Sequence, residues 1–188
     1  MPDGKNTALV VIDVQCGILD DPQLARKGQT ERALTETVTR IAELIRRARS
    51  ASVPVLYVQH DGSPGHRLAP GTPGWPIRPE IAPQPDEPIV HKSACDSFFG
   101  TTLQEELAAR RIEQLVIAGC MTQYCIDTTV RRTVSLGYDA ILVSDGHMTA
   151  DTSSLRFEQI IAHHNALLDG FDAGVHRVSV RESSKILL

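Results

Sequence analysis

Cys125 is the residue of this chain best placed to act as a nucleophile. It lies in Gln123-Tyr-Cys-Ile-Asp127, where a helical pattern opens just past the apolar run Leu115–Ala118. Partial positive charge at a helix start favours a thiolate, so this thiol is expected to fall below its ordinary pKa of ~8.5. Two residues of complementary chemistry close other apolar runs: Asp13 ends ALVVID, and Lys92 follows Ile89–His91. A carboxylate can take the thiol proton, and an ammonium can hold that carboxylate while favouring the thiolate. A base, a cation and a nucleophile on three strand ends make a covalent-catalysis site. A rival dyad would pair Cys125 with His147 in Ser144-Asp-Gly-His-Met148, although His147 could equally satisfy its own loop. Each residue also has an ordinary use, since buried Cys is often just a small hydrophobe and Asp or Lys at a strand end often just an ion pair.

The elements that must carry these residues follow from periodicity. Ala8–Asp13 is a continuous β-branched run, as in a strand buried on both faces. Leu34, Val38, Ile41, Ile45 and Ala48 fall on one face of a helix over Thr30–Arg49, with Thr30 as its expected N-cap. Further strands are expected at Val55–Gln59, Ile89–His91, Leu115–Ala118, Ala140–Ser144 and Val175–Val180. Helices are expected from a Thr102–Glu105 capping box to Arg111, over Gln123–Leu136 with Gly137 as C′, and over Ser154–Leu168. This alternation predicts one α/β domain over residues 1–188: three layers, α/β/α, around a six-stranded, mainly parallel, Rossmann-like sheet. Ligands of such sheets bind beyond the carboxyl ends of the strands, which puts Asp13–Gly17, His60–Asp61, Lys92–Ser93, Gly119–Cys125 and Asp145–His147 along one edge. Residues 60–88 hold eight of the eleven prolines and four glycines. An irregular stretch that long is expected to be an active-site loop.

Composition narrows the function. With 188 residues, 41% hydrophobic and 22% charged, the chain is globular. A net charge of -4 argues against nucleic-acid or anionic-membrane partners, and no apolar run approaches the ~18 residues of a membrane span. No export signal is visible, so the expected location is cytoplasmic. The four cysteines are expected to be thiols, with Cys16 packed and inert. Neither a dinucleotide fingerprint nor a P-loop occurs, and no cofactor is expected.

Three segments carry a resemblance. ALVVIDVQ ends in D-x-Q, PIVHKSACDSFFGTTL surrounds Lys92, and LVIAGCMTQYCIDTTVRRTVSLGYDAILVSD contains G-x-x-T-x-x-C. Together they resemble the isochorismatase-like cysteine hydrolases, the superfamily of nicotinamidases, N-carbamoylsarcosine amidase and isochorismatase, from about Thr7 to Val180. The resemblance implies the same fold, a catalytic Asp13, Lys92 and Cys125, and a cis peptide between Cys120 and Met121. It also implies an oxyanion hole formed by the Met121 and Cys125 amides. The implied reaction is hydrolysis of a C–N bond (amide, carbamoyl or lactam) of a small molecule through a thioester. The alternatives are a vinyl ether hydrolase, whose chemistry needs no thiol, and a non-catalytic interaction protein on the same fold. The loop with GTPGW and the HHNALLDGF helix look closer to hydrolases of the streptothricin-hydrolase type than to nicotinamidases.

The chain also departs from the family pattern. Metal-dependent nicotinamidases follow strand two with D-x-H, where VQHDGSPGH places His60 and Gly62, so no metal is expected. Ile18 stands where the family carries an aromatic. Gln15, Ile18, His60, Trp75, Phe98, Tyr124 and His147 are the expected substrate pocket. Family members are commonly oligomeric and the long loop calls for an ordering partner, so a homodimer or homotetramer is expected.

Overall fold

The structure, a computed structural model, describes residues 4–21 and 23–188. Strands β1 (Thr7–Ile12), β2 (Val55–His60), β3 (Ile89–Lys92), β4 (Gln114–Cys120), β5 (Asp139–Met148), β6 (Asp172–Ala173) and β7 (His176–Arg181) form one sheet in the order β3-β2-β1-β4-β5-β7-β6. All pairings are parallel except β6 with β7, so the sheet has seven strands where six are expected. The addition is the two-residue β6, too short to leave a periodic signal.

β1 is buried along its whole length. Leu9 and Val11 face one core, with Leu34, Val38, Ile41 and Ile45 of α1 (Lys27–Ser50). Ala8, Val10 and Ile12 face the other, with Leu103 and Leu107 of α2 (Leu103–Ala109) and Val130 and Val134 of α3 (Asp127–Ser135). Each such Val, Leu or Ile side chain contributes ~1.5–3 kcal/mol by leaving water, which fixes the sheet between its helical layers.

Strand order reverses direction between β1 and β4, so a crevice opens where these two strands end. The approach is close. Gly119 has φ +131°, and a Cβ there would lie 2.0 Å from the Ile12 carbonyl oxygen. Only glycine lets β4 pass β1 at this point.

Helix starts depart from expectation. α1 begins at Lys27, and Thr30 is buried within it. The Arg26 guanidinium ahead of α1 grips Asp151 and Glu158, both at 2.7 Å. The capping box at Thr102 does not form; Leu103 N–H donates to Thr101 Oγ1 instead. α4 (Phe157–Leu168) starts three residues late, where Asp151 Oδ1 accepts the Phe157 N–H at 2.8 Å. Residues Thr122–Ile126 form a π-helical turn ahead of α3, a form met often at functional sites. Gly137 does end α3 with φ +88°.

The loop after β2 is ordered within the chain. Cys16 N–H donates to Pro76 O and Gly17 N–H to Gly74 O, both at 2.9 Å, and Arg78 N–H to Val14 O at 3.0 Å. These bonds pin the path of the loop to the segment after β1. No helix among the described residues is long and apolar enough to cross a membrane.

Candidate active site

Asp13, immediately past β1, has φ +52°, a conformation that turns its side chain out of the strand's alternation. Lys92 closes β3, and Cys125 lies in the π-helical turn after β4. The three meet. Lys92 Nζ stands 2.7 Å from Asp13 Oδ2 and 3.2 Å from Cys125 Sγ, and donates to the Ala94 carbonyl at 2.9 Å. These contacts use all three ammonium donors, and the Lys92 and Asp13 side chains are 0% and 1% exposed. Asp13 Oδ1, by contrast, is buried with no hydrogen-bond partner.

Burial and charge divide the protons among the three groups. Burial pushes the Asp13 carboxyl up from its ordinary value, opposed by Lys92. Burial alone would depress Lys92, but the Asp13 and Cys125 charges outweigh it and raise the ammonium. The Cys125 thiol is pushed well up, first by burial and then by Asp13, with Lys92 pulling the other way. This corrects the expectation of a depressed thiol. The thiol therefore rests protonated beside the Lys92 ammonium. Cys120 is also pushed up, to about 12, by complete burial.

Beside this group, the Cys120–Met121 peptide bond is cis. His60 closes β2 and pairs in register with Lys92. Its ring is half-buried, with Nδ1 sealed and unpartnered, and burial lowers its pKa. His66 lies edge-on to it at 5.9 Å, and among the described residues no three His, Cys, Asp or Glu side chains converge on a point.

Several expected pocket residues have other work. Gln15 is fully buried; its side-chain amide donates to the His60 and Trp75 carbonyls and its oxygen accepts the His60 N–H. It is a clip between β1, β2 and the loop, because every backbone group there must be paired once water is excluded. Ile18 packs into the α1-side core, and Phe98 into the opposite core stacked on Tyr138. Trp75 is anchored by its Nε1–H on Asp61 at 2.7 Å and by stacking on His91. Tyr124, next to Cys125, is half exposed. His147 is 1% exposed, with both ring nitrogens hydrogen-bonded, so it is neither a pocket wall nor a partner of Cys125. Cys16 is exposed rather than packed, lining a cavity of about 390 Å³ with Leu19, Leu34, Thr35 and Arg78. Sequence reasoning missed Ala94, whose carbonyl is invisible to residue type, and Asn165, one polar residue among several on α4.

Residues 7–181 match the family model of the Isochorismatase domain. The chain belongs to the isochorismatase family of hydrolases. It is 33% identical over 144 residues to a streptothricin hydrolase of Streptomyces noursei, covering 77% of this chain and 50% of that protein. It is 29% identical over 176 residues to the ureidoacrylate amidohydrolase RutB of Variovorax paradoxus, covering 75% and 68%. An isochorismatase structure from Pseudomonas putida KT2440 superposes with a TM-score of 0.83 at 26% identity, over 97% of this chain and 90% of that one. The chain spans about half the length of the streptothricin hydrolases it matches, 50% and 55%. Its fold is the three-layer α/β arrangement of these isochorismatase-family structures.

Proposed function

We propose that this isochorismatase-family chain is a cysteine hydrolase that cleaves a C–N bond of a small molecule through a thioester acyl-enzyme. One observation carries the reading: a single buried ammonium touches both the Asp13 carboxylate and the Cys125 sulfur. That arrangement suits a proton moving between oxygen and sulfur beside a fixed positive charge.

In the proposed cycle, Asp13 Oδ1, free of other protein partners, takes the Cys125 proton. The thiolate forms beside Lys92 and attacks the carbonyl carbon, sending the π pair to oxygen. The Met121 and Cys125 amides hold that oxygen, each such donor being worth ~2.7–4 kcal/mol in the transition state. Collapse expels the nitrogen, which takes the proton from Asp13. Asp13, again a carboxylate, removes a proton from water attacking the thioester, and the acid leaves with Cys125 reprotonated. Lys92 keeps its proton throughout. The names of the relatives support a hydrolase of amide-like substrates. Vinyl ether hydrolysis would need the acid but no thiol, and gives Cys125 no reason to touch Lys92.

The test is a panel of primary amides, ureido acids and lactams assayed for release of acid or amine by the wild type and Cys125→Ala. Turnover of a panel member that Cys125→Ala abolishes is expected. Turnover undiminished in that variant would refute the acyl-enzyme.

A further inference from the structure

The π-helical turn that carries Cys125 is tied to the body of the protein by a polar chain whose direction can be read. Asn165 of α4 donates through Nδ2 to the Ser144 carbonyl at 3.0 Å, so its Oδ1 is the acceptor that faces His147 Nε2 at 2.9 Å. That places the imidazole proton on Nε2 and leaves Nδ1 to accept the Thr122 hydroxyl, also at 2.9 Å. Thr122 is fully buried and directly follows Met121.

The sheet is irregular where this chain needs it to be. β4 and β5 pair in register as far as Ile117 with Leu142; the next pair is Gly119 with His147. The extra residues on β5 form a bulge, the usual device for re-aiming a side chain from a strand. Here it delivers His147 beneath the turn, beside the passage of β4 over β1 at Gly119. Burial holds the imidazole neutral, with its pKa down at about 4.

We infer that His147, oriented by Asn165, is a positioning residue that fixes Thr122 and through it the aim of the Met121 and Cys125 amides at the developing oxyanion. The inference rests on the acyl-transfer reading of this site. It assigns His147 no proton to carry and no contact with substrate. Its product is alignment, and misalignment by even ~1 Å is enough to cost ~100-fold in a reaction.

Two reactions of the same sulfur separate alignment from nucleophilicity. Iodoacetamide alkylates Cys125 by displacing iodide, a step that creates no oxyanion. Acetaldehyde adds reversibly: the sulfur–carbon bond forms, the carbonyl π pair moves to oxygen, and the thiol proton ends on that oxygen in a hemithioacetal. Acetaldehyde affinity is read from protection of Cys125 against iodoacetamide, resolved by peptide mass spectrometry because Cys16 and Cys95 are also exposed. In His147→Ala the affinity should fall by about tenfold or more while alkylation without aldehyde keeps its rate. His147→Asn, whose side-chain oxygen can take the Nδ1 role toward Thr122, should recover part of the loss. Asn165→Ala, a half-buried substitution that leaves the core intact, should show the same loss to a smaller degree. Undiminished acetaldehyde affinity in folded His147→Ala and Asn165→Ala would overturn the inference alone. No protection of Cys125 in the wild type would overturn the acyl-transfer reading and the inference with it.

Discussion

Replacing Lys92 by Met removes one charge from a site that holds two groups by it. At the observed 2.7 Å from Asp13 Oδ2 and 3.2 Å from Cys125 Sγ, an effective dielectric of ~20 gives attractions of about 6 and about 5 kcal/mol. Moving the negative charge from carboxylate to sulfur therefore forfeits only about 1 kcal/mol of that attraction, so the ammonium supports both ends of the proton transfer. Without it Asp13 is a buried carboxyl with no counter-charge, and burial, no longer opposed by Lys92, pushes its pKa further up. Less of Asp13 is then ionised to act as base, and the thiolate loses its stabilising cation as well. The expected total is at least ~100-fold in kcat/KM, about 2.7 kcal/mol, with the fold kept because protonation relieves the stranded carboxylate. Lys92→Arg should rescue only in part, since a planar fork does not fit three contacts made by a compact ammonium. The direct assay is the rate of Cys125 alkylation by iodoacetamide against pH. The Lys92→Met profile should lie to higher pH than the wild type. Superimposable profiles would refute the reasoning, because Lys92 would then not act on the sulfur.

Cys125→Ser should hydrolyse the substrates of the wild type far more slowly, since a hydroxyl gives up its proton to Asp13 much less readily than a thiol; comparable kcat would contradict a sulfur nucleophile. Gly119→Ala should cost about 3 kcal/mol or more, from positive φ and a Cβ driven into the Ile12 carbonyl, read as a fall in urea midpoint at constant slope. His147 takes a proton near 6.5 when unfolded and only near 4 when folded. The unfolded state thus binds more protons between these values, and wild-type stability should drop by on the order of 3 kcal/mol as pH falls through that window. The fall should be smaller in His147→Asn, and parallel stability curves would refute it. Light scattering should give a dimer or tetramer; a mass of 20.5 kDa across the micromolar range would count against assembly.

The meeting of Asp13, Lys92 and Cys125 is legible because the strands are plain. ALVVID and LVIAGC are buried runs and IVHK alternates exposed with buried, but the ends of all three can be counted, and a parallel sheet brings those ends to one edge. What the sequence concealed depends on partners remote along the chain. The start of α1 is decided by Arg26 gripping Asp151 and Glu158, more than a hundred residues away. The start of α4 is decided by the Asp151 carboxylate, where a local pattern favours Ser154. Gln15 and Phe98 stand near Asp13 and Lys92 in sequence, yet one bonds backbone and the other packs in the core. The thiol was misjudged for a related reason: a helix start favours the thiolate locally, but burial and Asp13 act on it from other strands.

The seam between the loop after β2 and the segment after β1 is sewn with main-chain groups of Val14, Cys16, Gly17, Gly74, Pro76 and Arg78. Such a seam is indifferent to side-chain identity, except at the Gln15 clip and where Gly17 and Gly74 touch: a Cβ on Gly17 would meet the Gly74 α-carbon at 2.8 Å. The protein is thus a fixed engine behind an exchangeable faceplate. Most loop side chains can be rewritten, by an engineer or by drift, while the backbone path and the position of Asp13 stay put. Under the proposed function, new substrate preferences are then open to the chain without rebuilding Asp13, Lys92 and Cys125, provided Gln15 and those two glycines are left alone.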